Sequence, residues 1–162
     1  MRRTRRWRRR RRVGERGGGD QYGHWRTDSD DRHDHLIGVI ARLPIEALVV
    51  VRQGPETDKS ERRRRKCLET LLPELTRYGC THLVIESRGA RDDRRDRDML
   101  DALRAKKEIT GLRLDHAPGP ADPVLWIADA VCGAVVAHRT GESRWLEAIA
   151  DRVMIQNVDH RL

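Results

Sequence analysis

The chain has no phenylalanine, and its aromatic residues are four tryptophans and two tyrosines. Its hydrophobic core must therefore be built mainly from aliphatic side chains. With 162 residues the chain is long enough for one ordinary domain and too short for two. A chain of this size can bury roughly 70% of the surface that it exposes when unfolded, so a real core is available to it.

Long hydrophobic runs are also missing. The longest, from Pro123 to Ala137, contains Asp129 and falls short of the roughly 18 apolar residues that predict a membrane-spanning helix. A secretory signal peptide needs an apolar stretch of about 7–15 residues, and none is present near the start. We therefore expect no membrane partner.

The three cysteines, Cys67, Cys80 and Cys132, form no Cys-X-X-Cys pair. Neither a zinc knuckle nor a disulfide framework is indicated, and a cytoplasmic location fits best. Two catalytic classes also lack their motifs. The sequence shows neither the Ser, His and Asp nor the Cys and His arrangement that nucleophilic catalysis needs. A phosphate-binding glycine loop would follow a strand, and Gly17–Gly19 do not.

Positive charge is concentrated at the N-terminus. Residues 1–20 hold ten arginines, nine of them between positions 2 and 12, whereas residues 21–162 hold 24 basic and 24 acidic residues. Such a run repels itself and buries no apolar surface, so we predict a disordered segment at 1–20 and a single domain at 21–162. The segment could bind nucleic acid by releasing counterions. The other interpretation, which we favour, is an accidental or non-essential extension.

Short apolar runs alternate with segments of helical periodicity in the rest of the chain. This order predicts an α/β protein with a mostly parallel sheet flanked by helices. Residues 88–98 are predicted to be a charged loop. The expected strands are 47–51, 82–85, 112–114 and 153–155, and the expected helices are 30–43, 58–78, 96–107, 122–138 and 145–152.

Asp129 is the most informative acidic residue. It is the one charged side chain in the apolar stretch between Pro123 and Ala137, which predicts a helix packed on several sides. An unpaired carboxylate there would be costly. We therefore expect a partner for Asp129: a metal ion, a basic side chain or a helix N-terminus. Gly133, one turn later, predicts the close approach of another backbone.

Further polar residues follow predicted strands. Glu86 comes directly after His82–Ile85, and Asp115 and His116 come after the third strand. Ligands bind at the carboxyl ends of strands in open α/β sheets. Glu86, Asp115 and Asp129 could therefore hold Mg²⁺ or Mn²⁺, which prefer oxygen ligands. The alternative is a set of ion pairs, such as Glu86 with Arg88. Of the acidic residues between 92 and 98, Asp93 and Asp96 are the better placed to face the site, but the arginines interleaved with them favour a solvated loop.

Five blocks of the chain resemble one known family: HWR (24–26), ERRRRKCLETLLPEL (61–75), LVIESRG (83–89), DDRRDRDMLDALRA (92–105) and DHAPGPADPVLWIADAVCGAVV (115–136). They are similar to actinobacterial proteins related to the domain-of-unknown-function family numbered 3800. The resemblance implies a ribonuclease H-like fold and metal-dependent nuclease activity. It matches the family's acidic residue after a mid-sheet strand to Glu86, and its late helical Ala-Asp pair to Ala128–Asp129.

One difference from that family concerns the first strand. Its members open with a strand that ends in Asp-Glu-Ser and supplies a central metal-binding carboxylate, and nothing in residues 1–22 matches it. We therefore expect a truncated or mis-started relative with a weakened sheet edge. Such an edge could pair with a second chain, so a dimer is one expected oligomeric state.

Three functional hypotheses follow. The first is a metal-dependent nuclease or phosphodiesterase in which Glu86 and Asp129 hold Mg²⁺ or Mn²⁺, Asp115 or Asp96 assists, and His116 transfers protons or contacts phosphate. The second is an inactive protein that binds nucleic acid through its arginine-rich segment. The third is a remnant without an independent function.

Overall fold

The structure is a computed structural model that describes residues 25–55, 57–119 and 122–158. Its elements confirm the predicted α/β class, and the predicted disordered segment at 1–20 lies outside the described residues. In chain order they are α1 (Asp30–Ile40), β1 (Ala47–Arg52), α2 (Ser60–Arg77), β2 (His82–Glu86), α3 (Ala90–Ala105), β3 (Arg113–Ala117), α4 (Pro123–Arg139), α5 (Arg144–Glu147), a 3₁₀ turn (Ala150–Arg152) and β4 (Val153–Val158).

The strands pair in parallel, as predicted, but they divide into two sheets of two strands each. β1 pairs with β4, with Val49 opposite Ile155. β2 pairs with β3, with Val84 opposite Asp115. The single continuous sheet expected from the order of the elements is therefore not formed within the described residues.

Two helices begin at their predicted positions, and each has a capping side chain. The Asp122 side chain accepts the N–H of Val124 at 3.0 Å, and Pro123 occupies the first turn of α4. Such a cap satisfies one of the backbone donors that a helix leaves without a partner at its start. In α1, Ser29 accepts the N–H of Arg32. Both helix starts were predicted from the sequence.

Two other predictions around helix starts are wrong. Asp58 and Glu61 have the spacing of a capping pair, which predicts Asp58 as the cap of α2, but the Asp58 carboxylate bonds Arg52 Nη1 at 2.7 Å and Lys59 takes the cap position without a side-chain bond. The predicted loop at 88–98 is mostly helix, because α3 already begins at Ala90 after Gly89, whose φ is 99°. Acidic side chains in its first turn favour a helix N-terminus, so high charge density did not mean a loop.

The core consists of two clusters, and each lies beside one of the sheets. The cluster beside β1 and β4 takes its buried side chains from α1, α4, the region of α5 and the strand β1. The cluster beside β2 and β3 joins α2 and α3 through Leu72, Leu100, Leu103, Ile109 and Leu112. As the missing phenylalanine predicts, this second cluster is aliphatic.

Candidate functional site

Two acidic side chains are buried on the same face of α3. Asp93 is 7% exposed and Asp96 is 3% exposed. Their separation of three residues places them one above the other along the helix. Carboxylates are almost never buried unless they are paired, so the partners of these two residues define a polar centre within the fold.

Asp93 is held by the segment that follows β2. The hydroxyl of Ser87 donates to its Oδ2 at 2.6 Å, and the backbone N–H of Arg88 donates to its Oδ1 at 3.0 Å. These bonds stabilise the ionised carboxylate. Together, with the Ser87 bond as the largest contribution, they lower the pKa of Asp93.

Asp96 is surrounded by basic groups. Arg64 of α2 donates to its Oδ2 at 2.9 Å, and Nη2 of Arg88 lies 3.6 Å from its Oδ1. Nε2 of His116, on β3, lies 3.3 Å from the same Oδ2. The carboxylate therefore ties α2, α3 and β3 together, which is a structural role and also fixes the orientation of the His116 ring.

His116 lies between the two carboxylates. Its side chain is 5% exposed, and its Nε2 is 3.3 Å from Asp96 and 3.9 Å from Asp93. Because an ionised carboxylate can only accept, Nε2 carries a proton. Nδ1 is buried and has no hydrogen-bond partner within the described part of the chain. We call Ser87, Asp93, Asp96 and His116 the acid–histidine cluster.

Cavities lie on both sides of this cluster. One, of about 430 Å³, is lined by Ser87, Asp93 and His116 together with residues at the end of β3. The other is a groove of about 460 Å³ between α2 and α3, and Asp96 lies in its wall. Both volumes fall in the range of small-molecule sites, about 300–1,000 Å³.

Glu86 lies at the exposed carboxyl end of β2, as predicted. Its carboxylate lies against Gly119, where an added Cβ atom would meet the flexible end of the Glu86 side chain. The alternative of a simple ion pair with Arg88 is not what the structure contains. Arg88 instead bonds both carboxylate oxygens of Glu61, and this hydrogen bonding lowers the pKa of Glu61.

Asp115 does not follow a strand, as the sequence suggested, but lies in the middle of β3. Its carboxylate bonds His82 Nε2 and Arg113 Nη2, both at 2.8 Å. The hydrogen bond from His82, assisted by Arg113, lowers the pKa of Asp115. The predicted strand ended at Leu114, whereas β3 continues to Ala117. The prediction ended too early because side-chain hydrophobicity does not show where backbone pairing stops.

Asp129 is exposed, which corrects the expectation of a carboxylate enclosed by helix packing. The error arose because α4 buries one face only, while Val124 and Val136 remain more than half exposed. Its partner is the backbone N–H of Trp25, at 2.9 Å. Gly133 does allow a close approach, but the group that packs on it is the indole ring of Trp25 and not a backbone.

The three predicted metal ligands are not gathered into one site. Asp115 and Asp129 bond different groups, and nowhere in residues 25–55, 57–119 and 122–158 do three His, Cys, Asp or Glu side chains form a metal-binding group. Glu86 and Asp129 are connected indirectly, through neighbouring residues. Trp126 Nε1 donates to the carbonyl of Gly119 at 3.0 Å, which holds the loop beside Glu86 against α4, one turn before Asp129.

Sequence reasoning missed Ser87, Arg64 and Arg88 as members of this centre. Ser87 directly follows Glu86, so the rule that selected Glu86 could also have selected Ser87. The role of Arg64 had no sequence signal, because its neighbours Arg62, Arg63 and Arg65 look the same. Only the packing of α2 against α3 distinguishes it.

Comparison with known proteins finds no matching family model, no similar curated protein and no similar solved structure. The described helices include none with the length and apolar character needed to cross a membrane.

Proposed function

We propose that the protein is a phosphodiesterase or nuclease of ribonuclease H-like kind, with its reaction centre at the acid–histidine cluster. The observation that carries the proposal is the position of His116 between two buried carboxylates, at the ends of β2 and β3. Ligands of open parallel α/β structures bind at such strand ends. The resemblance of the blocks at 83–89 and 115–136 to the family numbered 3800 supports the same reaction class.

In this proposal His116 is the proton-transfer group. With its Nε2 proton directed at Asp96, neutral His116 accepts a proton at Nδ1 from water as that water attacks phosphorus. The P–O bond to the leaving group then breaks, the leaving oxygen takes up a proton from solvent, and the imidazolium returns its Nδ1 proton to solvent. Asp93 and Asp96 stabilise the imidazolium that forms. General acid–base catalysis of this kind contributes about 10²–10⁴-fold to a rate.

Mg²⁺ or Mn²⁺ enters the proposal from the sequence pattern and from the resemblance, with Glu86 and Asp129 as ligands and Asp115 assisting. As they are placed, these residues do not fit a shared metal ion, since Asp115 is paired with His82 and Asp129 with the Trp25 backbone. No step of the reaction is therefore derived through a metal. Metal binding is a separate prediction with its own test.

The test of metal binding is thermal melting of the full chain during a Mn²⁺ titration. A ligand at a hundredfold excess over its dissociation constant stabilises the folded state by about 2.7 kcal/mol. Because these residues do not share a site, we expect Glu86→Gln and Asp129→Asn to respond to Mn²⁺ as wild type does; stabilisation of wild type that both variants lose would instead establish the predicted metal site. Glu108→Gln, on an exposed residue outside the site, is the control. An equal response of all four proteins would remove the metal from the proposal.

The proposed function itself is tested by hydrolysis of single- and double-stranded DNA and RNA with and without Mn²⁺. Cleavage by wild type that is lost in His116→Gln supports it. Absence of cleavage of all four substrates by folded wild type overturns it.

A second candidate function is nucleic-acid binding without catalysis. The observation that favours it is the run of nine arginines between positions 2 and 12. Binding by these arginines should weaken steeply with salt. It should also vanish when the nine are replaced by serine in the full chain. A chain that neither binds nor cleaves would fit the remnant hypothesis. A cytoplasmic location and a dimer remain proposals from the sequence.

A further inference from the structure

The groove between α2 and α3 is lined mostly by side chains that are not part of the acid–histidine cluster. It encloses about 460 Å³ and is lined by four arginines, three acidic residues and three apolar side chains: Arg62, Arg64, Arg65, Arg95, Glu61, Asp96, Asp98, Leu68, Met99 and Ala102. Leu68, Met99 and Ala102 give it an apolar part. The groove therefore offers both cationic groups and a surface for an organic ring.

Two of the acidic residues in the groove are already neutralised by bonds to basic groups. Glu61 is held by Arg88, and Asp96 by Arg64, Arg88 and His116. Their charge is therefore compensated within the protein. What the groove presents to a ligand is its other three arginines together with the single carboxylate of Asp98.

These three arginines, Arg62, Arg65 and Arg95, have side chains that are 66%, 68% and 46% exposed. Arg62 lies 3.8 Å from Asp58, a buried carboxylate that also bonds Arg52, whereas Arg65 pairs with Glu69 and Arg95 with Asp92 at the surface. Exposed pairs of this kind are worth about 0–1 kcal/mol. A ligand with higher charge density can displace them at little cost.

Phosphate is the ligand chemistry that this set of groups fits. A guanidinium presents a planar fork of donors that matches phosphate oxygens, and its bonds to ionised acceptors are roughly twice as strong as neutral ones. The net charge of residues 21–162 does not attract anions, because this part of the chain carries equal numbers of basic and acidic side chains. Local convergence of arginines is needed to hold an anion.

We propose that the α2–α3 groove binds the phosphate group of a phosphate ester through Arg62, Arg65 and Arg95, with its organic part on Leu68 and Met99. The proposal deepens the proposed function and rests on it for the identity of the substrate, since Asp96 belongs to both the groove and the acid–histidine cluster. The phosphate could come from a nucleic-acid backbone or from a free nucleotide.

The experiment uses the full chain with the nine arginines of positions 2–12 replaced by serine, so that this segment does not mask the groove. Binding of a labelled single-stranded oligonucleotide is measured by fluorescence anisotropy at several salt concentrations, and binding of a nucleoside monophosphate by calorimetry. The groove variant is Arg65→Gln with Arg95→Gln. The matched control is Arg91→Gln with Arg94→Gln, two exposed positions of α3 outside the groove lining.

We expect the groove variant to bind the oligonucleotide about tenfold or more weakly, and the control to change less than about twofold. The slope of log K against log salt should become shallower by about 1.4 in the groove variant, since each single-strand phosphate contact contributes about 0.7. A parallel loss of nucleoside monophosphate binding identifies a single phosphate group as the ligand. A loss confined to the oligonucleotide identifies the backbone.

Equal affinities of the groove variant and its control would overturn the proposal. So would failure of the parent chain to bind either ligand. Hydrolysis measured on the same proteins keeps the two proposals apart. Groove-dependent binding without any hydrolysis would sink the proposed function alone, whereas hydrolysis that is indifferent to Arg65 and Arg95 would sink the groove alone.

Discussion

Nε2 of His116 on β3 lies 3.3 Å from Oδ2 of Asp96 on α3, and each side chain is 5% exposed or less. This contact joins a strand to the helix that precedes it in the chain. It is supported from a third element by Arg64 of α2. Stability and the proposed chemistry therefore depend on the same carboxylate.

The first prediction concerns that carboxylate. Asp96→Ala leaves Arg64 and His116 without their shared acceptor, and breaking a buried pair costs about 3–5 kcal/mol. Because the Arg64 side chain is 29% exposed, we expect a loss near the lower end, about 3 kcal/mol, in urea unfolding. Asp98→Ala, on an exposed position of the same helix, should change stability by less than about 0.5 kcal/mol. Similar losses in both variants would contradict the assignment.

The second prediction is a pH dependence set by Ser87 and Asp93. The Ser87 hydroxyl, with the N–H of Arg88, lowers the pKa of Asp93 in the folded state. A lowered folded pKa gives stability that is present above the unfolded value, about 3.9, and is lost as pH falls through the folded pKa. In Ser87→Ala the folded pKa rises, so acid unfolding should begin at a higher pH.

Circular dichroism between pH 7 and pH 2 measures this effect. The stability difference between wild type and Ser87→Ala should be largest near neutral pH and should shrink in acid. A difference that grows as pH falls would have the wrong sign for an ionised Asp93.

The third prediction compares two glycines in helices. At Gly133 an added methyl group would overlap the indole ring of Trp25, whereas at Gly38 in α1 nothing lies within 4 Å of the added atom. Gly133→Ala should therefore destabilise the protein by about 1–3 kcal/mol through overpacking. Gly38→Ala should stabilise it by about 0.5–1 kcal/mol, since alanine is the better helix former. Thermal melting distinguishes the two, and a neutral Gly133→Ala would show that Trp25 does not pack there.

Local structure could be predicted well from the sequence. The β-branched run before Arg52 and the Asp122–Pro123 cap each specify their element through nearby residues, and both elements are present. The pairing of β1 with β4 could not be predicted, because it joins segments about a hundred residues apart. The start of α3 was missed because a dense alternation of charges is typical of loops as well as of helices with i,i+3 ion pairs such as Arg95 with Asp92.

Part of the candidate site was also accessible from the sequence. The strand-end rule selected Glu86 and His116, and both lie at or near the ends of β2 and β3. Asp96 was left between two interpretations, and burial decided that it belongs to the cluster. The pattern around Asp129 misled, because an apolar helix sequence does not reveal that one face stays exposed. Which groups neutralise a carboxylate depends on tertiary packing alone.

The most direct test of the central claim is the rate of hydrolysis of a phosphodiester by wild type, His116→Gln and His35→Gln, with folding checked by circular dichroism. His35 is an exposed residue of α1 and serves as the matched control. We predict that His116→Gln lowers kcat about 10²-fold or more, while His35→Gln leaves it unchanged. Undiminished hydrolysis by folded His116→Gln, or none by wild type, would contradict a phosphodiesterase centred on the acid–histidine cluster.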